Sequence, residues 1–185
     1  MKSMRSRERI LGNKVDPLSS ENIMRIAFEA RSLIQRVLQD NAPYLDPLHF
    51  LEKLHDAELI QLEIVEMEEL PNEYAITIPS QRVIKLRADT HDSALKCEAR
   101  GRFTVAHELG HLLLHANTVP QFAFSQAPSN HSYIEDVEWQ ANEFAGWLLV
   151  DPAHSELLKT PRSCSIGFGV SLETARYMLE KIKRL

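Results

Sequence analysis

The sequence predicts an α+β fold, mainly helical, with a small three-stranded sheet beside a helix that carries two histidines one turn apart. Three observations predict it. Long stretches repeat apolar residues every three or four positions, residues 59–87 switch to alternation and to Ile, Val and Tyr, and no apolar run reaches the ~18 residues of a membrane span. With 185 residues, 44% of them hydrophobic, the chain has the size and composition of one domain with a filled core.

Residues 1–20 read as a flexible tail. They are basic at Lys2, Arg5, Arg7, Arg9 and Lys14, without the apolar stretch of a secretion signal, and 16–20 read as a break. Residues 21–185 form the expected single domain. A net charge of -5 and a pI near 5.9 give no general attraction to nucleic acid, and no recognition-helix pattern accompanies the basic start. Neither a direct nucleic-acid contact nor a membrane partner is expected. The two cysteines, Cys97 and Cys164, have no metal-pair spacing and are too few for a disulfide scaffold, which agrees with a reducing, cytoplasmic setting.

From Glu21 the residues Ile23, Ile26, Ala27, Ala30, Leu33, Ile34 and Val37 mark one face of a long helix, interrupted at 41–44. Asp46 and Pro47 start a second, short helix to about Lys53, with Leu48, Leu51 and Leu54 inward. Strands follow at 59–67, 73–78 and 83–87, Pro79 limiting the second, and 89–100 reads as a connection. Helices are expected over 102–115 and 135–150. The segment TVPQFAFSQAPSNHSYI (118–134) between them has the composition of a loop that covers or rims a cleft. Asp151 and Pro152 repeat the helix-start signal, and a last helix begins after Ser171, with Leu172, Ala175, Leu179 and Ile182 on one side.

The chemistry concentrates in RFTVAHELGHLLLH (102–115). Side chains four apart on a helix point the same way, so His107 and His111 can offer nitrogens to one cation. Glu108 beside them can act as a general base on water there, which is why the HExxH spacing recurs in metal-dependent hydrolases. Val105, Leu109, Leu112 and Leu113 supply the packing side. Gly110, costing about 1 kcal/mol relative to alanine in a helix interior, makes sense if another chain passes close by.

Two imidazoles do not complete a catalytic zinc site, which takes a third protein ligand. EDVEWQANEFAGWLL (135–149) is the best source. Glu138, Ala141, Asn142 and Ala145 share one helical face, and the alanines let the two helices approach. Glu138 is favoured as the third ligand over Glu135 and Glu143, whose angular positions are poorer. Asn142 can accept a proton from the second nitrogen of a histidine and fix its tautomer.

Together, RFTVAHELGHLLLH and EWQANEFA (138–145), followed by Leu148 and Leu149, resemble the ImmA/IrrE family of zinc-dependent metalloendopeptidases. The likeness is strongest over 102–150 and extends more weakly from the strand near 73 to VSLETA (170–175). It implies a gluzincin-like site with His107, His111 and Glu138 as metal ligands, Glu108 as base, and zinc, or manganese in its place, as the metal. It further implies a cytoplasmic protein of bacteria or their mobile elements, in which many relatives inactivate a helix-turn-helix repressor of mobile-element or stress-response genes. The chain departs from the family at LLVDP (148–152), where Leu-Leu-Met-Pro is common. No helix-turn-helix region precedes the core, so the repressor partner is expected to be a separate protein.

Other residues carry alternatives. His131 and Tyr133 are candidate donors to a developing oxyanion, against roles in solvent or in anchoring the loop. His115 reads as structural, since three ligands suffice. Residues 73–78 can bind a peptide by edge pairing or pair within the core. Cys97 can be a thiolate switch on the metal, against the commoner small buried hydrophobe. The alternative to hydrolysis is a non-catalytic, zinc-stabilised protein that sequesters a regulatory partner, and a further one is a zinc hydrolase of small amides.

Overall fold

A computed structural model describes residues 13–116 and 131–185. Helix α1 (Ser20–Leu38) begins where the Ser19 hydroxyl accepts the Asn22 N–H, and its predicted periodicity buries Ile23, Ala27 and Ile34. Leu33 and Val37, at the margin of the same stripe, stay exposed. Helix α2 (Pro47–Asp56) starts as predicted, with Asp46 accepting the His49 N–H and Pro47 in the first turn, where no donor is needed.

Strands β1 (Gln61–Val65), β2 (Ala75–Ile78) and β3 (Val83–Arg87) form a sheet of order β1-β3-β2. β3 is central, with Val83, Ile84 and Leu86 all buried. It pairs parallel with β1, Gln61 opposite Val83, and antiparallel with β2, Ala75 opposite Leu86. β2 is therefore an edge strand, and Pro79 ends it by opening a 3₁₀ turn, Pro79–Gln81.

Residues 89–100, expected as a connection, contain a helix: α3 (Ala88–Leu95) follows β3 directly. It is too short and polar to show a period, burying only Thr90 and Ala94, four residues apart. Asp89 lies in its first turn, where the helix dipole favours an acid, and is held by Arg87 through two hydrogen bonds of 2.7 and 3.0 Å. Helices α4 (Ala99–Leu114) and α5 (Val137–Leu149) follow. Leu113, expected on the packing side of α4, is 46% exposed.

Asp151 does not start a helix. Its carboxylate accepts the Ala153 N–H and pairs with Arg31 at 3.3 Å, and a 3₁₀ turn, Ser155–Leu158, comes next. The helix that the sequence reading missed, α6 (Pro161–Phe168), starts instead at Thr160, whose side chain accepts the Ser163 N–H. Gly169, at φ +62°, reverses the chain, and α7 (Leu172–Ile182) begins under a Ser171 cap as expected.

The predicted 1–20 tail falls partly outside the described residues. Within them, Val15 and Leu18 N–H groups donate to the carbonyls of Glu135 and Ile134, and Val137 N–H donates to Asn13. Lys14 reinforces this pairing with a 2.9 Å ion pair to Glu135. The segment just before α5 is thus fastened to residues 13–18.

α5 lies between α1 and α4 and is buried nearly all round, with Phe144, Leu148 and Leu149 wholly enclosed and Trp147 2% exposed. Each such side chain contributes roughly 1.5–3 kcal/mol by leaving water. α4 in turn packs on α2, α3, α5 and β2. Among the described residues, no helix is long and apolar enough to cross a membrane.

Two buried arginines tie loops to these helices. Arg31 of α1 donates to the carbonyls of Leu148, Ala42 and Pro43. Arg102 of α4 donates to Leu45, Phe168 and Gly169 and stacks on the Tyr44 ring, 3.7 Å from its centroid. A Cβ on Gly169 would stand 2.3 Å from both Arg102 Nη1 and the Tyr44 ring, so glycine serves the close approach as well as the positive φ. Replacing Arg102 with Met removes the shared donor from two chain segments, at 45 and at 168–169. We expect a loss of about 3 kcal/mol in urea denaturation, while an unchanged midpoint would show the network to be idle.

Candidate metal centre

Glycine at 110 determines how near α5 comes to α4. A Cβ there would meet Phe144 Cδ1 at 3.0 Å and the Ala141 backbone at 3.3 Å. The small residue on one helix faces the small residue on the other, as the pattern of glycine and alanines predicts. That approach carries Glu138, in the first turn of α5, to the histidines of α4.

The three expected ligands converge. Nε2 of His107 and Nε2 of His111 lie 2.9 Å apart, Glu138 Oε2 is 3.2 Å from the first and Oε1 3.6 Å from the second. One ligand atom from each residue lies within 4.8 Å of the others. A tetrahedral cation with bonds of ~2.0–2.1 Å sets its ligands ~3.4 Å apart, so these separations suit a small divalent metal.

The proton equilibria of these groups make the same point. The adjacent imidazoles, His107 first and then His111, hold the Glu138 carboxyl far below the usual carboxylate range, outweighing burial. Burial works against charge on His107, but the hydrogen bond to Glu138 and the charges of Glu108 and Glu138 prevail, and its pKa is raised. Both shifts favour a positive charge at the centre of the three groups. A proton is one such charge, and a metal ion is another.

Each imidazole is held from behind. Asn142 Oδ1 lies 3.0 Å from His107 Nδ1, as the sequence spacing suggests. His111 Nδ1 lies 3.2 Å from Nδ1 of His115, whose Nε2 is 3.0 Å from Gln140 Oε1. Burial pushes His115 down to about 4, so it is neutral at physiological pH. Gln140 escaped the sequence reading, although its place two residues before Asn142 and next to Ala141 was a usable signal.

Glu108 is 5% exposed, and its Oε2 accepts a 2.6 Å hydrogen bond from the Thr77 hydroxyl of β2. It lines the same cavity as His107, His111 and Glu138, a space of about 550 Å³ walled on one side by Ala75, Ile76 and Thr77 and on another by residues 13–15. The rival acids lie elsewhere. Glu135 bonds Lys14 and the Ser132 N–H. Glu143 is buried on the far side of α5, where Trp147, Tyr177, Ser20 and Lys181 donate to it and so join α1, α5 and α7.

His131 sits 3.5 Å from Asp136, the capping residue of α5, and Tyr133 packs edge-on against Trp139. Neither is among the residues lining the cavity. The loop expected over 118–134 lies outside the described residues up to 130. Cys97 is exposed in the turn between α3 and α4, at φ 59°, rather than buried, while Cys164 is buried. Cys97 does not belong to the ligand group.

Fold and donor set define a mainly helical α+β domain with three residues on two helices placed so that they could hold a metal ion. Residues 93–180, running from α3 into α7 and including all three donors, match the Peptidase_M78 family model, described as the IrrE N-terminal-like domain. The match over this segment supports assignment of the chain to the ImmA/IrrE family. None of the curated proteins compared with the chain matches it.

Two acids of one helix should separate by experiment. Glu138→Gln is expected to cost at least about 100-fold in zinc affinity with little change in melting temperature, since Glu138 is 54% exposed. Glu143→Gln should do the reverse, costing about 2 kcal/mol of stability while zinc affinity holds. Binding also expels the proton favoured at His107, so affinity should fall as the pH drops through that group's raised pKa. Calorimetry in buffers of differing ionisation heat measures the release, and no buffer dependence would contradict it.

Proposed function

We propose that the protein is a zinc-dependent endopeptidase of the cytoplasm that cleaves, and so inactivates, a helix-turn-helix transcriptional repressor. Manganese is the alternative metal. One observation carries the reading: His107, His111 and Glu138 converge at a cavity into which Glu108 also opens, beside β2, an edge strand among the described residues. Metal ligands alone would serve a structural site. A carboxylate outside the ligand set, facing the same space, is what hydrolysis adds.

Zinc at this site would supply Lewis acidity, lowering the pKa of water toward ~7 and polarising a carbonyl. The chain's own residues do the rest. Glu108 Oε1 takes a proton from the attacking water and returns it to the leaving amine, while Thr77 holds Oε2 and fixes the carboxylate's direction. An extended substrate lies along β2, whose outer edge offers backbone donors and acceptors. That edge favours a protein chain over a small amide.

The repressor as substrate follows from the family likeness, with the chain's own acidity leaving DNA binding to the partner. Glu108→Gln separates hydrolysis from sequestration. We expect it to keep zinc and to lower cleavage of the helix-turn-helix protein encoded beside this gene by about 10²–10⁴-fold. An intact partner after incubation with zinc-loaded wild type would overturn the proposal, and regulation that survives the substitution would favour the sequestering alternative.

A further inference from the structure

We infer that His115 and Gln140 act as positioning residues that dictate which nitrogen of His111 faces the metal. The inference rests on the metal-site reading above, and it follows from the hydrogen-bond valence of a neutral imidazole at His115. Gln140 is fully buried, and its side-chain Nε2 lies 2.8 Å from the carbonyl oxygen of Asp16 and 2.7 Å from that of Ile134. Carbonyl oxygens only accept, so the NH₂ end of the amide must face them. The amide oxygen then has one orientation, toward Nε2 of His115 at 3.0 Å.

An oxygen in that place accepts, so His115 Nε2 carries hydrogen and donates. His115 is 3% exposed, with its nitrogens facing the Gln140 amide and the His111 ring, a setting for neutral imidazole, which has one N–H and so leaves Nδ1 as a bare acceptor. The atom facing it at 3.2 Å is Nδ1 of His111, which must therefore be the donor. His111 is left with a lone pair on Nε2, the atom directed at His107 Nε2 and Glu138.

The chain of bonds starts in main-chain atoms. Asp16 belongs to the 13–18 segment paired with 134–137, so the fastening of the N-terminal residues reaches the metal site through two side chains. His107 has a simpler arrangement, one amide oxygen from Asn142. The two ligands of α4 thus receive the same instruction from α5, directly in one case and relayed by His115 in the other.

The test uses the full chain, with zinc affinity measured by chelator competition. His115→Leu removes the acceptor and should weaken zinc binding about 10–100-fold. His115→Asn can put Oδ1 where Nδ1 stood and should recover most of that loss, which a simple packing role would not allow. Nitrogen-15 NMR of the wild type should show His115 protonated at Nε2 and His111 at Nδ1. That spectrum also carries the test if His115→Leu fails to fold. His115 protonated at Nδ1, or equal zinc affinity in wild type and His115→Leu, overturns the inference and leaves the metal site standing. A wild type that takes up no zinc removes both.

Discussion

The close packing of α4 on α5 is the constraint on which the rest of the molecule depends. Gly110 and Ala141 let the two backbones approach, and only at that separation does the Glu138 carboxylate stand within 3.2–3.6 Å of the two imidazoles. A side chain at 110 would have to displace Phe144, which is wholly buried, or the backbone of α5 itself. The packing that stabilises the core and the geometry of the candidate site are the same contact.

Around that contact, polar groups do the bracing. Arg31, Arg102 and Glu143 are buried, yet each has several partners, as the cost of enclosing a charge demands. Arg31 and Arg102 gather carbonyls from loops, and Glu143 gathers donors from three helices. These three residues fix the positions of α1, α4, α5 and α7 relative to one another.

Much of this was legible in the sequence. HExxH gives two imidazoles on one helix face, and the alanines after Glu138 give the approach of the second helix, because both depend on local periodicity alone. The caps at Asp46 and Ser171 were legible for the same reason. What escaped depends on distant partners. Asp151 followed by proline has the form of a helix start, but Arg31 claims its carboxylate from over a hundred residues away. Helix α3 is too short for a period to show, and His115 could not be assigned a purpose until Gln140 was seen behind it. Cys97 looked like a core residue by type, but it occupies an exposed turn.

Glu138 stands in the opening turn of α5, where unpaired peptide N–H groups concentrate positive potential. An anion planted there, with the imidazoles of His107 and His111 beside it, keeps its charge through mild acid. Acidification would therefore strip such a centre by protonating its nitrogens first, leaving the oxygen ligand ready, and recovery on neutralisation would need no rebuilding of the helix pair.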